Sequence, residues 1–259
     1  MEVVPLDSAE AVATLAADTI ERLVRDHPRA VLGLATGSSP LPTYRELVRR
    51  HESGVAPSYA GVQCVLLDEY VGLPAGHPQS YRATIARELT DALGVASARV
   101  HGPGPADPER AGAAYERLLD DLGGVDLQVL GIGADGHLAF NEPGSSLASR
   151  TRLKTLTDRT RADNARFFGS AGEVPRHVLT QGLGTILDAR HLLLIATGPA
   201  KAEAVAAAVE GPLTASCPAS VLQLHPHASV LLDPPAAQSL TSRAYYCEVY
   251  KNKPEWQHL

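Results

Sequence analysis

The chain has little cysteine, little lysine and no long apolar run. Its three cysteines, Cys64, Cys217 and Cys247, lie far apart and form no C-x-x-C. Neither a disulfide framework nor a zinc site is expected, and the odd, sparse count fits ordinary thiols in a reducing compartment. The longest apolar stretches, such as 192–196, are strand-sized, far short of the ~18–20 residues that span a bilayer. Asp7 and Glu10 precede any basic residue, contrary to the start of a secretory signal. A cytoplasmic location away from membranes is therefore expected. Only Lys154, Lys201, Lys251 and Lys253 are lysines among the 23 basic residues, and 29 acidic residues bring the net charge to −6. A general nucleic-acid binder needs a basic face to displace counterions, so that class is excluded, whereas a small basic pocket is not.

What remains is ordinary globular material. Of 259 residues, 44% are hydrophobic and 20% charged, and a chain this long buries a sizeable core without staples. At roughly 150 residues per domain the length allows one large domain or two small ones. No repeat, low-complexity tract or long linker divides it.

Apolar periodicity predicts a first helix capped by Asp7 or Ser8, with Val12, Leu15, Ala16, Ile20, Leu23 and Val24 on one stripe, ended by His27-Pro28. Further helices are expected from 40–42 through Val48 and over 80–93, 107–122, 159–168, 178–187 and 201–209. Strand-like runs occupy 30–34, 62–67, 125–130, 191–196 and 229–232. The strands are continuously apolar and alternate with helices, as in an α/β fold with a single doubly wound, mostly parallel sheet and helices on both faces. The Gly/Pro-bearing loops 72–77 and 141–149 follow strands, where open α/β sheets place their ligands.

Four segments could carry chemistry. Thr36-Gly37-Ser38-Ser39 joins a strand to a helix N-terminus. It suits a phosphate cradle and, taken alone, suits a turn with a helix cap equally well. Gly131 to Gly136 matches G-x-G-x-x-G, but the following His137-to-Gly144 stretch is poor helix material, so a dinucleotide site is not supported. The same stretch brings Asp135, His137 and Glu142 within eight residues. A histidine flanked by carboxylates can move protons near neutral pH, although a D-x-H pair by itself more often marks a solvated loop. Asp68-Glu69 ends an apolar strand, so one carboxylate faces the strand-end crevice as a base candidate, or both are simply solvated.

The fourth segment is basic. Arg150, Arg152, Lys154, Arg159, Arg161 and Arg166 cluster in sequence, and some of them, Arg159 and Arg161 above all, read as a solvated face. Lys201 opens a helix, where a cation opposes the dipole and an anion nearby would offset the repulsion. His225-Pro226-His227 reads as loop or packing and not as a metal site, and Asn164 and Phe167-Phe168 read as ordinary helix residues.

Several long segments in order are more specific than any of these alone. Leu67-Asp-Glu-Tyr-Val-Gly-Leu-Pro74, His77-Pro-Gln-Ser-Tyr81, Asp135-Gly-His-Leu-Ala-Phe-Asn-Glu-Pro143, Ser145 to Arg152 and Leu222-Gln-Leu-His-Pro226 together resemble the glucosamine-6-phosphate deaminase (isomerase) family over roughly residues 30 to 235. The resemblance implies a Rossmann-like, sugar-phosphate isomerase type of fold in one domain over 1–259. The tail 246–259 departs from the family pattern. It also implies conversion of glucosamine 6-phosphate to fructose 6-phosphate and ammonia without cofactor or metal. Asp68 would be the base moving a proton between carbons 2 and 1. His137 would open the sugar ring, with Asp135 and Glu142 setting its orientation and charge. The phosphate would lie on Thr36, Gly37, Ser38 and Ser39, clamped by Arg166 and Lys201.

Some relatives are hexamers with an allosteric site for N-acetylglucosamine 6-phosphate. The matching positions here are Ser145, Arg152, Lys154, Thr155 and Tyr245, and a homo-oligomer is compatible with the sequence. Two rivals share the fold. A 6-phosphogluconolactonase-like hydrolase would need a basic residue where Tyr70 stands. A non-catalytic sugar-phosphate sensor normally carries an N-terminal helix-turn-helix, which is not seen ahead of the first helix.

Overall fold

The continuous apolar runs become parallel strands because both of their faces are covered. A computed structural model describes residues 1–74, 76–104, 107–170, 172–254 and 256–259, without the side chains of Arg159 and Asp163, so the solvated-face reading of Arg159 lies outside the described residues. In chain order the elements are β1 (Glu2–Pro5), α1 (Ala9–Asp26), β2 (Val31–Leu34), α2 (Leu41–Glu52), β3 (Gln63–Leu66), β4 (Asp68–Val71), α3 (Tyr81–Ile85), β5 (Val100–His101), α4 (Pro108–Asp121) and β6 (Leu127–Leu130). There follow β7 (Arg152–Thr155), α5 (Asp158–Asn164), β8 (His177–Thr180), α6 (Leu183–Leu187), β9 (Leu192–Ala196), α7 (Ala202–Val209), β10 (Ala228–Leu232) and α8 (Arg243–Lys251).

Seven strands form one sheet in the order β1-β10-β9-β6-β2-β3-β5, every pair parallel. Every residue of β2, β6, β9 and β10 is buried. The chain steps outward one way through β2, β3 and β5 and the other way through β6, β9 and β10. With right-handed crossovers, the reversal puts α1 and α2, which pack on each other, on one face, and α4 and α7 on the other. This is the expected doubly wound α/β fold. The order reverses between β2 and β6, and a crevice at that switch point is where such sheets bind ligands.

Local chemistry sets the element ends. The Ser8 side chain accepts the Ala11 N–H at 3.1 Å and so caps α1. Asp107 does the same for α4 through Glu109, with Pro108 in the first turn. At the C-terminal end α8 packs on β1, and Lys253 Nζ lies 2.7 Å from the Glu2 carboxylate.

The structure also departs from the sequence reading. A second, three-stranded antiparallel sheet, β4-β8-β7, stands beside the main one. The helix expected over 178–187 is instead β8 followed by α6. Val178, Leu179, Leu183, Ile186 and Leu187 carry a helical spacing, but the polar break Thr180-Gln181-Gly182 separates two elements. The helix expected over 159–168 ends at Asn164 and tightens into a 3-10 turn at Ala165–Phe167. That expected over 80–93 is α3 running into a π-helical turn at Ala86–Thr90. Strand β1, too short to show a pattern, adds an unexpected edge strand beside β10.

The expected strand 62–67 stops at Leu66, and the chain leaves one sheet and enters the other around Leu67. The Leu67 carbonyl accepts the Gln181 N–H at 2.7 Å. Asp68 is thereby the first residue of the second sheet, paired with Thr180, at the mouth of the first.

Candidate active site

Three strand ends open into one cavity of about 1060 Å³. The loop after β2 contributes Thr36, Gly37, Ser38 and Ser39, the β3–β4 junction contributes Asp68, and the loop after β6 contributes Asp135, His137 and Glu142. Lys201 reaches the cavity from the turn before α7, and Arg166 from the turn after α5. All ten residues expected to act on substrate thus line one space, although they are drawn from Thr36 to Lys201 in the sequence.

The β2 loop is shaped for close approach. Gly37 has φ +105°, a conformation that side-chain-bearing residues rarely adopt. Behind it the Tyr44 hydroxyl donates to the Ala35 carbonyl at 2.8 Å and anchors the loop to α2. No side chain caps the N-terminus of α2, so the first-turn N–H groups and the helix dipole are left for an anion. Burial, above all, lowers the Lys201 pKa and nearby Arg166 lowers it further, while Asp135 opposes the shift. Two cations close enough to repel each other beside an open helix N-terminus make a site for a dianion.

The two carboxylates that open β4 part company. The Glu69 carboxylate accepts the N–H groups of Tyr70 (2.9 Å), Tyr81 (3.0 Å) and Arg82 (3.0 Å), tying its strand to the start of α3. Asp68 faces the cavity, only 7% exposed. Burial, reinforced by the adjacent Glu69 charge, pushes its pKa up to about 8. A carboxylate that basic is suited to taking a proton from carbon.

In the β6 loop the Asp135 carboxylate lies 2.6 Å from His137 Nδ1 and accepts the His137 N–H at 3.2 Å. Burial pulls the Asp135 carboxyl upward, but the attraction and hydrogen bonds from His137 outweigh it, leaving the pKa below the usual range. Gly133 must lack a side chain, because a Cβ there would stand 2.2 Å from the imidazole. Ala139 follows in a left-handed conformation at φ +52°, a strain of about 1–3 kcal/mol that surrounding bonds must hold. Glu142 shares the cavity, but its carboxylate takes a 2.6 Å hydrogen bond from Thr160, not from the imidazole.

This constellation can be compared with known proteins. The family described as glucosamine-6-phosphate isomerases/6-phosphogluconolactonase matches residues 5–231. The chain belongs to that family. It is 59% identical, over 262 residues and 100% of both chains, to a glucosamine-6-phosphate deaminase of Arthrobacter sp. (strain FB24). It is 54% identical to that of Streptomyces coelicolor over 262 residues and 100% of both chains. Among solved structures it resembles a monomeric glucosamine-6-phosphate deaminase at TM-score 0.88 and 40% identity, covering 92% of this chain and 100% of that one. The 6-phosphogluconolactonase of Trypanosoma brucei is more distant, at TM-score 0.75 and 20% identity over 93% of this chain and 98% of that one, and shares the fold.

Within this family member, some functional residues escaped sequence reasoning. Asn164, read as an ordinary helix residue, lines the cavity and donates to the Tyr70 hydroxyl at 3.1 Å. Phe168 packs edge-on against Tyr70 with ring centroids 5.5 Å apart, and Tyr81 lies 4.8 Å from the same ring. Tyr70, where a lactonase-like hydrolase would need a basic residue, is thus the centre of an aromatic wall beside Asp68. The Thr157-x-x-Thr160 spacing at the start of α5 was the available signal for Thr160. Thr157 caps the helix through the Thr160 N–H at 3.1 Å, and its hydroxyl lies 2.9 Å from that of Thr160, which in turn donates to Glu142.

The five effector positions lie on three segments of the chain. Arg152, Lys154 and Thr155 lie on β7, which pairs with β8 and packs on α4. Ser145 is buried in the loop after Glu142, its hydroxyl without a partner. Tyr245 is exposed on α8, which packs on β1 at the far edge of the main sheet. His225-Pro226-His227 is packing: His225 Nε2 bonds to the Ala189 carbonyl at 2.8 Å, and Nδ1 accepts the His227 N–H at 3.0 Å. No helix among the described residues is long and apolar enough to cross a membrane.

Proposed function

We propose that this chain converts glucosamine 6-phosphate and water to fructose 6-phosphate and ammonia, as a single domain over 1–259. One observation carries the reading: a buried, basic carboxylate (Asp68) and a carboxylate-held imidazole (Asp135–His137) open into the same cavity as an uncapped helix N-terminus flanked by two cations. Enolisation of a sugar phosphate needs these parts: a base near carbons 1 and 2, a proton carrier at the ring oxygen, and an anchor for the far end.

The phosphate lies against Thr36, Gly37, Ser38 and Ser39, with Arg166 and Lys201 on its oxygens. His137 protonates the ring oxygen as the C1 hydroxyl loses its proton, giving the open-chain aldehyde. Asp135 fixes the imidazole with its proton on Nδ1 during this step. Asp68 removes the C2 proton as O1 takes back the proton it released on ring opening, giving a C1–C2 enolamine, and the same carboxylic acid returns its proton to C1 as the nitrogen lone pair forms the C2 imine. The resulting C2 imine adds water, and ammonia leaves as the C2 ketone forms. Glu142, held by Thr160, places a negative charge beside this proton traffic. No step calls for a cofactor or a metal, and the site acts in the cytoplasm.

For the effector positions the reading is coarser. Ser145, Arg152, Lys154 and Thr155 offer hydroxyl and cationic groups to a second sugar phosphate, and Tyr245 would join them only from another copy. The test is a coupled assay following ammonia and fructose 6-phosphate together, with and without N-acetylglucosamine 6-phosphate. Equal release of both products is expected. Absence of both from folded protein overturns the deaminase reading in favour of a sensor or a lactonase-like hydrolase.

A further inference from the structure

The base and the acid loop belong to different sheets and different parts of the chain, yet one buried residue is bonded to both. Gln181 lies immediately after β8, beside the Asp68–Thr180 pair. On one side its N–H donates to the Leu67 carbonyl at 2.7 Å, and its Nε2 to the Leu66 carbonyl at 3.2 Å. These are the two residues ahead of Asp68. On the other side its main-chain carbonyl accepts Asn141 Nδ2 at 2.8 Å, and the same Nδ2 donates to the Leu138 carbonyl at 3.0 Å. Asn141 precedes Glu142, and Leu138 follows His137. Asn141 and Gln181 are both buried, so the geometry of these bonds is fixed by packing as well as by hydrogen bonding.

We propose that Gln181, acting through Asn141, is a positioning residue that sets the separation of the Asp68 carboxylate from the His137 acid loop. The proposal rests on the deaminase reading above. Asparagine suits its place because one amide nitrogen offers two donors to two carbonyls, and this closes the turn that holds Ala139 in its left-handed conformation. Glutamine suits its place because its side-chain amide reaches the strand end that delivers the base while its main chain holds Leu67 and Asn141. The Leu66 carbonyl does not depend on Gln181 for a partner, since the Tyr115 hydroxyl donates to it at 2.7 Å. The Gln181 amide is therefore dispensable for satisfying that carbonyl, and its contribution is geometric.

The test compares Gln181→Met with Tyr115→Phe, measuring kcat and KM for glucosamine 6-phosphate and the melting temperature of each. Positioning predicts that Gln181→Met loses about tenfold to a hundredfold in kcat with KM within about twofold, since misplacing reacting groups by an ångström costs on that order. Tyr115→Phe, which removes a hydroxyl bonded to the same carbonyl and to the Gln181 side chain but leaves the bonds of Gln181 to Leu66, Leu67 and Asn141, keeps its kcat. Gln181→Asn, one methylene shorter, serves where the methionine variant does not fold. Equal kcat in wild type and the Gln181 variant, a loss shared by Tyr115→Phe, or failure of both Gln181 variants to fold overturns the positioning role. Wild-type protein that releases no fructose 6-phosphate overturns the deaminase reading and the proposal with it, whereas the other outcomes leave that reading intact.

Discussion

The Asp135 carboxylate holds His137 at two points, bonding to Nδ1 at 2.6 Å and to the backbone N–H at 3.2 Å. The second bond fixes the loop, and the first fixes the proton on Nδ1, leaving Nε2 for the substrate. Asp135→Asn offers an amide nitrogen or a weaker acceptor, so the ring can adopt the wrong tautomer. Turnover should fall by a factor of about a hundred or more, as happens when an orienting carboxylate is lost from an acid–base pair. His137→Gln should slow closed-ring substrate most. Equal slowing on an open-chain analogue would remove His137 from ring opening.

Asp68 gives a prediction with a pH signature. Its carboxyl is raised from 3.8 to about 8, so the base is ionised only as pH climbs, and kcat/KM should rise through about pH 8 in the free enzyme. The folded protein holds a proton that the unfolded chain has released across the window between the two values. Stability from this group is therefore complete below about pH 4 and lost as pH rises through about 8. Asp68→Asn should abolish turnover while retaining sugar-phosphate binding. Its melting temperature relative to wild type should climb from pH 4 to 8 and then level off. A variant within threefold of wild-type turnover, or a flat melting-temperature difference, would contradict the assignment.

Lys201 separates phosphate binding from chemistry. Its ammonium lies in the same electrostatic neighbourhood as Arg166 and Asp135. Lys201→Ala should raise KM for glucosamine 6-phosphate about tenfold to a hundredfold, the worth of a hydrogen bond to a charged group. Glucosamine without phosphate should be affected far less. An unchanged KM for the phosphorylated substrate would move the anchor elsewhere.

Much of this was legible in the sequence, and the illegible part has a physical pattern. The buried parallel strands β2, β6, β9 and β10 appeared as apolar runs because both of their faces are covered. Asp68, Asp135 and His137 stood out because charged groups ended such runs. The second sheet stayed hidden because β4 begins with two carboxylates, and β8 shares its apolar residues with a helix-like spacing that continues into α6. Asn164, Phe168 and Gln181 carry their roles only through partners roughly a hundred positions away, Tyr70 for the first two and the Leu66–Leu67 strand end, by Asp68, for Gln181. Local pattern cannot register a contact of that range. Of the effector positions, Arg152, Lys154 and Thr155 lie on β7 and Tyr245 on α8, a placement that residue type alone does not reveal.

Thr160 supplies the last prediction because it separates a structural hydroxyl from a tuning one. Its N–H takes the cap from Thr157, while its hydroxyl lies 2.9 Å from the Thr157 hydroxyl and donates to Glu142 at 2.6 Å. Thr160→Val keeps the N–H cap and the volume but removes the hydroxyl's contacts to Thr157 and to the Glu142 carboxylate. The variant should lose about 0.5–1.5 kcal/mol of stability, the net worth of an ordinary hydrogen bond. If the held carboxylate matters to proton transfer, kcat should fall severalfold and the pH profile should move, and Thr160→Ser should restore both because it keeps the hydroxyl. A Thr160→Val enzyme with wild-type kcat and pH profile would show that Glu142 acts from the cavity wall without needing to be held, leaving Asp135 as the sole carboxylate that governs His137.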